Sequence, residues 1–454
     1  MDEAIDQALS ILKRKPIDGY EIYLEEASNF DAETEGKKVD TLQTSQSMGM
    51  AFRILNKKRV GFSYTTSPLP SLSGLEKTIE DAIASAEVTS PDPCFDFSPV
   101  LSQPLPQLPI FDETLEKVSE KKKIEKAKLL EEAARSVDPE RIKKVRKASY
   151  HETTSRITLV NSNGLHFSFN DSLTSVSVMA VAEESGEYEV GWDFDFSHFI
   201  DDLNVIKIGK AAGRKALERL GGRRVPSGIY PVLLDHHVAS EFLSLLAHSF
   251  LAEQVQKGKS ALRDRKGEPF FSPVISVIDD GLLIKGVSTY PIDGEGMLNQ
   301  RTSLVIQGEI KGYLYDRFWA NRENLSSKGL HTESTGNSRR HGIRFPPGLG
   351  TSNFFIEPGT TSSSSLIKDL QRGLLVEEVM GLHTVDLISG QFSLGCSGHW
   401  IEQGEKVYPV KSIAIAGSIF QLFKKVVEIG EDIRFFGKVG SPSLLIESLE
   451  ISGN

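Results

Sequence analysis

The sequence predicts an α+β fold in two parts. The first is an N-terminal mixed α/β domain with antiparallel strands and flanking helices, and the second is a C-terminal, strand-rich, barrel-like domain with a central helix. Residues 1–224 alternate amphipathic helices with hairpin strands, whereas residues 225–454 carry mostly short strands with Gly-rich turns. The Pro- and Ser-rich stretch 89–109 divides the N-terminal part into units of about 1–90 and 114–222. A chain of 454 residues is too long for one ordinary domain.

The N-terminal elements follow from periodicity. Apolar residues spaced as on a helix face predict helices at 3–14, 75–88, 114–137 and 205–220. Alternating patterns predict strands at 19–26, 37–43, 48–55, 59–65, 142–152, 155–161, 165–170 and 172–183. Residues 161–164 have the composition of a hairpin turn, and the glycines at 221 and 222 end the last helix.

The C-terminal part is organised around residues 229–281, which read as strand, helix, loop, strand and turn. Asp235 stands at the N-cap of the helix that begins at His236. Beyond it we predict short strands at 303–310, 312–315, 392–394, 399–402 and 444–451. Two further helices are predicted at 365–371 and 418–427.

The central helix has one broad apolar face and a narrow polar stripe. The apolar face, which predicts packing against the C-terminal sheet, holds Val238, Ala239, Phe242, Leu243, Leu245, Leu246 and Phe250. The stripe consists of His237, Glu241, Ser244 and His248, with Ser240 on the same side of the helix. His237 and Glu241 could both reach one metal ion, but His248 is about 16 Å from His237 at the usual helical rise. The stripe therefore lines a groove or meets water.

Three other charged motifs have both a structural and a functional interpretation. Asp279-Asp280-Gly281 and residues 293–296 could bind a cation, although both have the composition of turns. Arg339-Arg340-His341 could hold a peptide carboxylate or a phosphate, or could be a solvated basic loop. Arg339 and Arg340 join the stripe as candidate groove-lining residues.

Composition limits the partners. A net charge of −10 argues against direct nucleic-acid binding. Only two cysteines are present, which fits a reducing cytoplasm. The acidic N-terminus lacks the apolar core of a signal peptide, and no run of about 18 apolar residues predicts a membrane span. We therefore expect a cytoplasmic protein without a membrane partner.

A series of short blocks is spread over most of residues 230–454. They are Val-Gln-Lys-Gly-Lys-Ser (255–260), Val-Ile-Asp-Asp-Gly (277–281), Asp-Gly-Glu-Gly (293–296), Ser-Thr-Gly-Asn-Ser-Arg-Arg (334–340), Arg-Gly-Leu-Leu-Val (372–376), Ser-Gly-Gln-Phe-Ser-Leu-Gly-Cys-Ser-Gly (389–398), Trp-Ile-Glu-Gln-Gly-Glu (400–405), Tyr-Pro-Val (408–410) and Ile-Ala-Gly-Ser (415–418). In this order the blocks resemble the TldD/PmbA family, also called modulators of DNA gyrase, and the N-terminal half resembles it more loosely.

The resemblance implies two kinds of subunit. The TldD kind is a zinc peptidase with His-Glu-x-x-x-His on its helix and a Cys ligand near its C-terminus, and the PmbA or TldE kind lacks these ligands and pairs with TldD. This chain places Leu243-Ser244 or Ser244-Leu245 at the His-Glu pair and His248 or Ser249 at the second His. Phe436-Gly437-Lys438 stands where the Cys-Gly-Lys is expected. We therefore assign no catalytic or metal-ligating residue here.

Three hypotheses remain open. The first is a non-catalytic TldE/PmbA-like subunit of a cytoplasmic TldD/TldE-type zinc metallopeptidase complex that cleaves unfolded or extended peptides. In that case zinc belongs to a TldD-type partner, and the chain forms a heterodimer with that partner or a homodimer with itself. The second is an active metallopeptidase with a shifted site at His237, Glu241 or His248. The third is a binding protein that acts on DNA gyrase.

Overall fold

The protein is an α+β molecule, as predicted, in a computed structural model that describes residues 2–67, 71–101, 103–326 and 331–453. No helix among these residues is long and apolar enough to cross a membrane. Its N-terminal elements are α1 (Asp2–Leu12), β1 (Gly19–Glu35), β2 (Lys38–Asn56), β3 (Arg59–Thr65), α2 (Leu72–Val88), α3 (Glu120–Arg135), β4 (Ile142–Asn161), β5 (His166–Glu184), β6 (Glu187–Ser197) and α4 (Val205–Glu218).

The N-terminal strands form one antiparallel, six-stranded sheet in the order β3-β2-β1-β4-β5-β6. The strands of both predicted N-terminal units therefore belong to a single sheet. The helices cover one face, since Ile22 and Leu24 pack in the cluster with α1 and α2, while Phe30 and Ala32 of the same strand pack in the cluster with α3 and α4. The opposite face carries Tyr23 and turns toward the C-terminal half. The predicted domain boundaries remain predictions.

Several predicted strand pairs are single long strands. The predicted strands 37–43 and 48–55 are both part of β2, because its polar middle stays paired with β1 through Ser45 and Asn29. In the same way, β4 and β5 each replace two predicted strands. Strand β6 was not predicted, although Tyr188, Val190 and Trp192 alternate along it.

The described C-terminal half consists of fourteen strands and five α-helices, with the central helix near its start. In order they are β7 (Gly228–Leu234), α5 (His236–Ala247), α6 (Ala252–Gln256), β8 (Val277–Asp280), β9 (Arg301–Ile306), β10 (Glu309–Ile310), α7 (Arg317–Ser326), β11 (Ser338–Arg339), β12 (Gly348–Leu349), β13 (Asn353–Ile356), α8 (Ser363–Asp369), β14 (Arg372–Met380), β15 (Gln391–Glu402), β16 (Glu405–Ser418), α9 (Ile419–Lys424), β17 (Val426–Ile429), β18 (Arg434–Phe436), β19 (Val439–Ser441) and β20 (Leu444–Ser452).

The barrel-like prediction is confirmed. Strands β16-β15-β14-β7-β20 form a closed ring, because β16 also pairs with β20. A second six-stranded sheet has the order β10-β9-β8-β13-β19-β18. Helix α5 contacts β7 and β14 of the barrel and β13 and β19 of the second sheet, so it lies between the two.

The remaining C-terminal predictions are confirmed in part. The helices expected at 365–371 and 418–427 are α8 and the shorter α9. The strand expected at 303–310 is a β9–β10 hairpin, and the two expected at 392–394 and 399–402 are the single strand β15. The strand expected at 312–315 is wrong, because only an isolated bridge from Leu314 to Leu251 forms there. Helix α7 was not predicted.

Candidate functional site

Asp235 sets the start of the central helix. Its backbone N–H donates to Val376 O at 3.0 Å, which ties the end of β7 to β14. Its Oδ1 accepts the N–H of Val238 at 2.9 Å, as the predicted N-cap requires. Burial raises the pKa of this carboxyl to about 6, partly offset by His236. The sequence therefore places a helix N-terminus at the end of a central barrel strand.

The apolar face of α5 is confirmed as core. Val238, Phe242 and Leu246 are buried within the cluster that joins the barrel to the second sheet. Leu243 is also fully buried there, and Leu245 packs at its margin. Because apolar burial of this kind stabilises a helix in place, it fixes which side chains α5 presents outward. Ser240 is an exception to the predicted polar side, since it is buried and its hydroxyl donates to His236 O at 2.7 Å.

His237 and Glu241 form the polar centre of the site, with His237 Nε2 and Glu241 Oε1 separated by 3.5 Å. Trp192 meets the His237 ring edge-on at 5.0 Å between centroids, and the Phe436 ring lies 4.7 Å from it. We call Asp235, His236, His237 and Glu241, together with these two aromatic residues, the helix-start site. Trp192 reaches it from the unpredicted strand β6.

Burial makes both polar groups of this centre neutral near pH 6. It lowers the pKa of His237 to about 4. It raises the pKa of Glu241 to about 7, and the nearby Asp235 and Glu378 carboxylates add to the increase. The second carboxyl oxygen of Glu241, Oε2, has no hydrogen-bond partner within the described part of the chain. The site thus holds desolvated groups with few compensating contacts.

The free space at the helix-start site is small. A cavity of about 50 Å³ lies beside His237, and Trp192, Lys215, Arg219 and Glu377 are among its walls. A volume of this size holds one or two waters rather than a peptide side chain.

The rest of the predicted stripe does not join this centre. Ser244 is exposed, in agreement with a solvated face. His248 follows the last residue of α5, where burial lowers the pKa of its imidazole. Its Nδ1 is enclosed and has no partner among the residues that the structure describes. The four residues therefore line one side of α5 but form no single pocket.

Of the two interpretations of Arg339-Arg340-His341, the solvated basic loop is wrong for both arginines, whereas His341 is exposed. Arg339 is only 9% exposed, and the Arg340 side chain only 4%. Arg340 pairs with Glu21 of β1 and donates from Nε to Gly294 O at 2.7 Å. Together with Arg53 and Glu295 these residues form what we call the interdomain network, which links the N-terminal sheet to the C-terminal loops. Ion pairs with Glu21 and Glu295 compensate the buried charges of Arg53 and Arg340, whereas the described partners of Arg339 are neutral oxygens.

The two acidic motifs are also more buried than exposed turns would be. Asp279 and Asp280 lie within β8 rather than in a turn, and Asp279 accepts from Asn337 Nδ2 and Ser352 N, both at 2.7 Å. Asp293 does make the predicted turn, since Oδ1 accepts the N–H groups of Glu295 and Met297. Its acceptors are satisfied inside the protein, because Oδ2 takes the Ser338 N–H.

Zinc does not fit the residues of the helix-start site. Phe436 carries no donor atom, and its ring lies against His237 and, at 5.8 Å, against His236. Within residues 2–67, 71–101, 103–326 and 331–453, no three His, Cys, Asp or Glu side chains are grouped so as to hold a metal.

The alignment of residues 243–245 with the His-Glu pair and the alignment of Phe436 with the Cys ligand do not agree with each other in the structure. Phe436 lies at the first turn of α5, whereas the His-Glu pair was aligned with Leu243-Ser244 or Ser244-Leu245. His237 and Ser244 are about 10 Å apart along a helix axis, too far to share one ion. Leu243 also points into the core. The two positions therefore cannot belong to the same metal site.

Family models match three consecutive segments of the chain. The PmbA/TldA metallopeptidase C-terminal domain matches residues 227–453, the central domain residues 113–220, and domain 1 residues 20–86. The metalloprotease PmbA of Escherichia coli O157:H7 is 26% identical over 456 residues, covering 100% of this chain and 96% of that protein. A PmbA homologue of Haemophilus influenzae is 28% identical, covering 86% and 82%.

Solved structures match over nearly the whole length. A candidate modulator of a DNA gyrase from Thermotoga maritima has 27% identity and a TM-score of 0.89, covering 99% of this chain and 100% of that one. TldE from Thermococcus kodakarensis has a TM-score of 0.88 at 22% identity, covering 100% of both chains, and shows the shared fold. With three matching domain models in sequence order, the chain belongs to the PmbA/TldD metallopeptidase family.

Proposed function

We propose that this chain is a non-catalytic, TldE/PmbA-like subunit of a cytoplasmic zinc metallopeptidase complex that cleaves unfolded or extended peptides. A TldD-type partner would hold the zinc, and this chain would contribute part of the peptide groove.

The observation that carries the proposal is the arrangement of side chains along α5. His237 and Glu241 face each other at 3.5 Å beneath Phe436, while His248 lies at the other end of the helix. A catalytic zinc needs three protein ligands around one open position. The side chains of α5 are instead dispersed or covered by aromatic rings.

A shifted metal site at His237, Glu241 or His248 is the alternative. It would require Glu241 to become an anion in a place where burial raises its pKa to about 7. It would also require a third ligand, since His237 and Glu241 alone leave zinc undercoordinated.

Metal analysis tests the proposal directly. The purified chain is expected to hold no stoichiometric zinc and to cleave no unfolded peptide alone, but to support cleavage after mixing with a TldD-type subunit. About one zinc per chain, removed by a chelator together with a peptidase activity of the chain alone, would overturn the proposal.

Two variants sharpen that test. His237→Ala should leave the zinc content of the chain unchanged, as should His151→Ala, a matched control in the partly exposed sheet residue His151. A loss of bound zinc in His237→Ala alone would favour the shifted metal site.

Complex formation is tested by light scattering at micromolar concentration. A dimer, either with a TldD-type subunit or with a second copy, is expected from the proposed role. A monomer that binds no TldD-type subunit would contradict it.

A further inference from the structure

A second and larger cavity, of about 460 Å³, lies between the N-terminal sheet and the C-terminal loops. Its lining includes the apolar side chains of Tyr23, Ile157 and Ile292 and the cations Arg339, Arg340 and Lys438. This volume is within the range of small-ligand pockets. We call it the basic cavity.

Arg339 is a buried cation that has only neutral hydrogen-bond partners. Its guanidinium donates to Thr351 O at 3.1 Å, to Asn299 Oδ1 at 3.2 Å and to Gly336 O at 3.1 Å, and also contacts Ser352 Oγ. It forms no ion pair in the described ranges. Asp279 and Asp293 offset part of its charge from a distance, but neither is in ion-pair contact with it, so an incoming anion can still pair with the guanidinium directly.

Lys438 and Arg340 add to the positive charge of the cavity. Lys438 Nζ donates to Thr351 O at 3.2 Å and likewise forms no ion pair where the chain is described. Burial, and after it the nearby Arg339, lowers the pKa of Lys438, and Asp279 partly offsets this effect. The Arg340 guanidinium carbon lies 4.3 Å from the centroid of the Tyr23 ring, so this cation is in contact with an aromatic side chain of the cavity. Its Nη1 has no hydrogen-bond partner among described residues.

The acids that border the cavity are engaged elsewhere. Asp171 accepts the Tyr290 hydroxyl at 3.3 Å and lies 3.2 Å from His198 Nδ1. Glu25 accepts the Tyr23 hydroxyl at 3.1 Å. Asp293 is bound to backbone N–H groups, and burial with Glu295 nearby raises its pKa to about 7. Asp171 and Asp293 are therefore held mainly by groups other than Arg339 and Lys438. Asp279 lies close enough to offset part of the charge of both cations, but it is in ion-pair contact with neither among the described residues.

We propose that the basic cavity binds the C-terminal residue of a peptide, with its free α-carboxylate at Lys438 and the arginines and its apolar side chain against Tyr23, Ile157 and Ile292. The proposal rests on the proposed role in peptide handling and names the part of the peptide that this chain holds. Lys438 follows Phe436 by two residues, so neighbouring residues of one strand-turn-strand segment border the basic cavity and the helix-start site. A carboxylate with an apolar group matches both the cations and the apolar side chains of the cavity.

Binding of short fluorescent peptides to the chain alone tests this proposal. The probes are a labelled Ala-Ala-Ala-Phe with a free carboxylate and the same peptide as its C-terminal amide, followed by fluorescence anisotropy. The acid is expected to bind at least about tenfold more tightly than the amide. Equal binding of the two, or no binding of the acid at millimolar concentration, would overturn the proposal.

Variants and a competitor identify the groups involved. Lys438→Gln should reduce binding of the acid to the level of the amide, and Lys438→Arg should retain it. Lys285→Gln, at a side chain that is 70% exposed, is the matched control and should bind as the wild type does. Unchanged binding in Lys438→Gln would place the carboxylate elsewhere and refute the assignment.

Inorganic phosphate distinguishes a peptide site from a simple anion site. Failure of millimolar phosphate to displace the acid supports a peptide terminus, whereas displacement at the same concentration as unlabelled peptide contradicts it. The assay needs neither zinc nor a partner subunit. Its failure is therefore separable from failure of the proposed function, which is read from zinc content and peptidase activity.

Discussion

The helix-start site and the interdomain network both bury ionisable side chains, but they neutralise them differently. In the network, Arg53 contacts Glu21 and Glu295, both at 3.3 Å, and Arg340 also pairs with Glu21. At the helix-start site, His237 and Glu241 have displaced pKa values because burial disfavours their charged forms.

This difference indicates a structural role for the interdomain network and a pH-sensitive one for the helix-start site. Ion pairs between segments that are far apart in the chain position the N-terminal sheet against the C-terminal loops. Unpaired, desolvated groups contribute little to stability and respond to pH, which is typical of binding or former catalytic positions. Four measurements can break or sharpen this comparison.

Arg53→Met should have the largest effect. It leaves Glu21 and Glu295 buried without their cation, and the expected loss is about 3–5 kcal/mol of unfolding free energy. Lys144→Met is the control, because its pair with Glu35 is solvent-exposed and should change stability by less than about 1 kcal/mol. Chemical denaturation of both variants checks the prediction, and similar small losses would show that the network does not hold the two halves together.

Leu246→Ala tests how much the apolar face of α5 contributes to the free energy of unfolding, for comparison with the ion pairs of Arg53. Leu246 is 1% exposed in the main core, so its truncation leaves a cavity and should lower the unfolding free energy by about 2–5 kcal/mol. Leu245→Ala, at the half-buried margin of the same helix, should cost clearly less. Equal losses in denaturant midpoint would mean that α5 is rotated relative to the described packing.

These positions also show what the sequence could predict. The N-cap at Asp235 and the apolar face through Leu246 depend on neighbours within a few residues, and both were predicted. The buried state of Arg340 depends on Glu21, which is 319 positions away in the chain, and no local pattern reports it. The sheet pairing that keeps β2 continuous through its polar middle is likewise set by β1 rather than by β2 itself.

The alternation of large side chains along residues 187–197 predicts strand β6, which carries aromatic residues of the helix-start site. Trp192 and Phe194 both face the helix-start site, where they contact His237 and Phe436 respectively. A prediction of β6 would therefore have identified Trp192 and Phe194 as aromatic residues on one face of a strand. What it could not give is the position of Phe436, which reaches the same place from near the C-terminus.

Glu241→Gln tests the pH response of the helix-start site. The folded pKa of Glu241, about 7, lies above its usual value, so its protonated form contributes stability that is present at low pH and lost as pH rises through about 7. Gln resembles the protonated form. The variant should equal the wild type near pH 4.5 and exceed it at pH 8 by about 1–3 kcal/mol.

Denaturation curves at the two pH values check the Glu241 prediction. The exposed Glu447→Gln variant is the control and should show no gain at pH 8. If Glu241→Gln destabilises the protein at pH 8, then the Glu241 carboxylate is stabilised by a charge, and the contrast with the interdomain network is lost.

His248→Ala should have the smallest effect, under about 1 kcal/mol. The imidazole lies just past the end of α5 and is partly exposed, and burial lowers its pKa. Its loss removes modest packing and no ion pair from the described part of the chain. If His248 instead lines a shared peptide groove, the variant should fold normally and weaken only the peptidase activity of the assembled complex. Denaturation midpoints and complex assays separate these outcomes, and a loss above about 2 kcal/mol would show that His248 is a structural residue like Arg53 rather than part of the polar stripe.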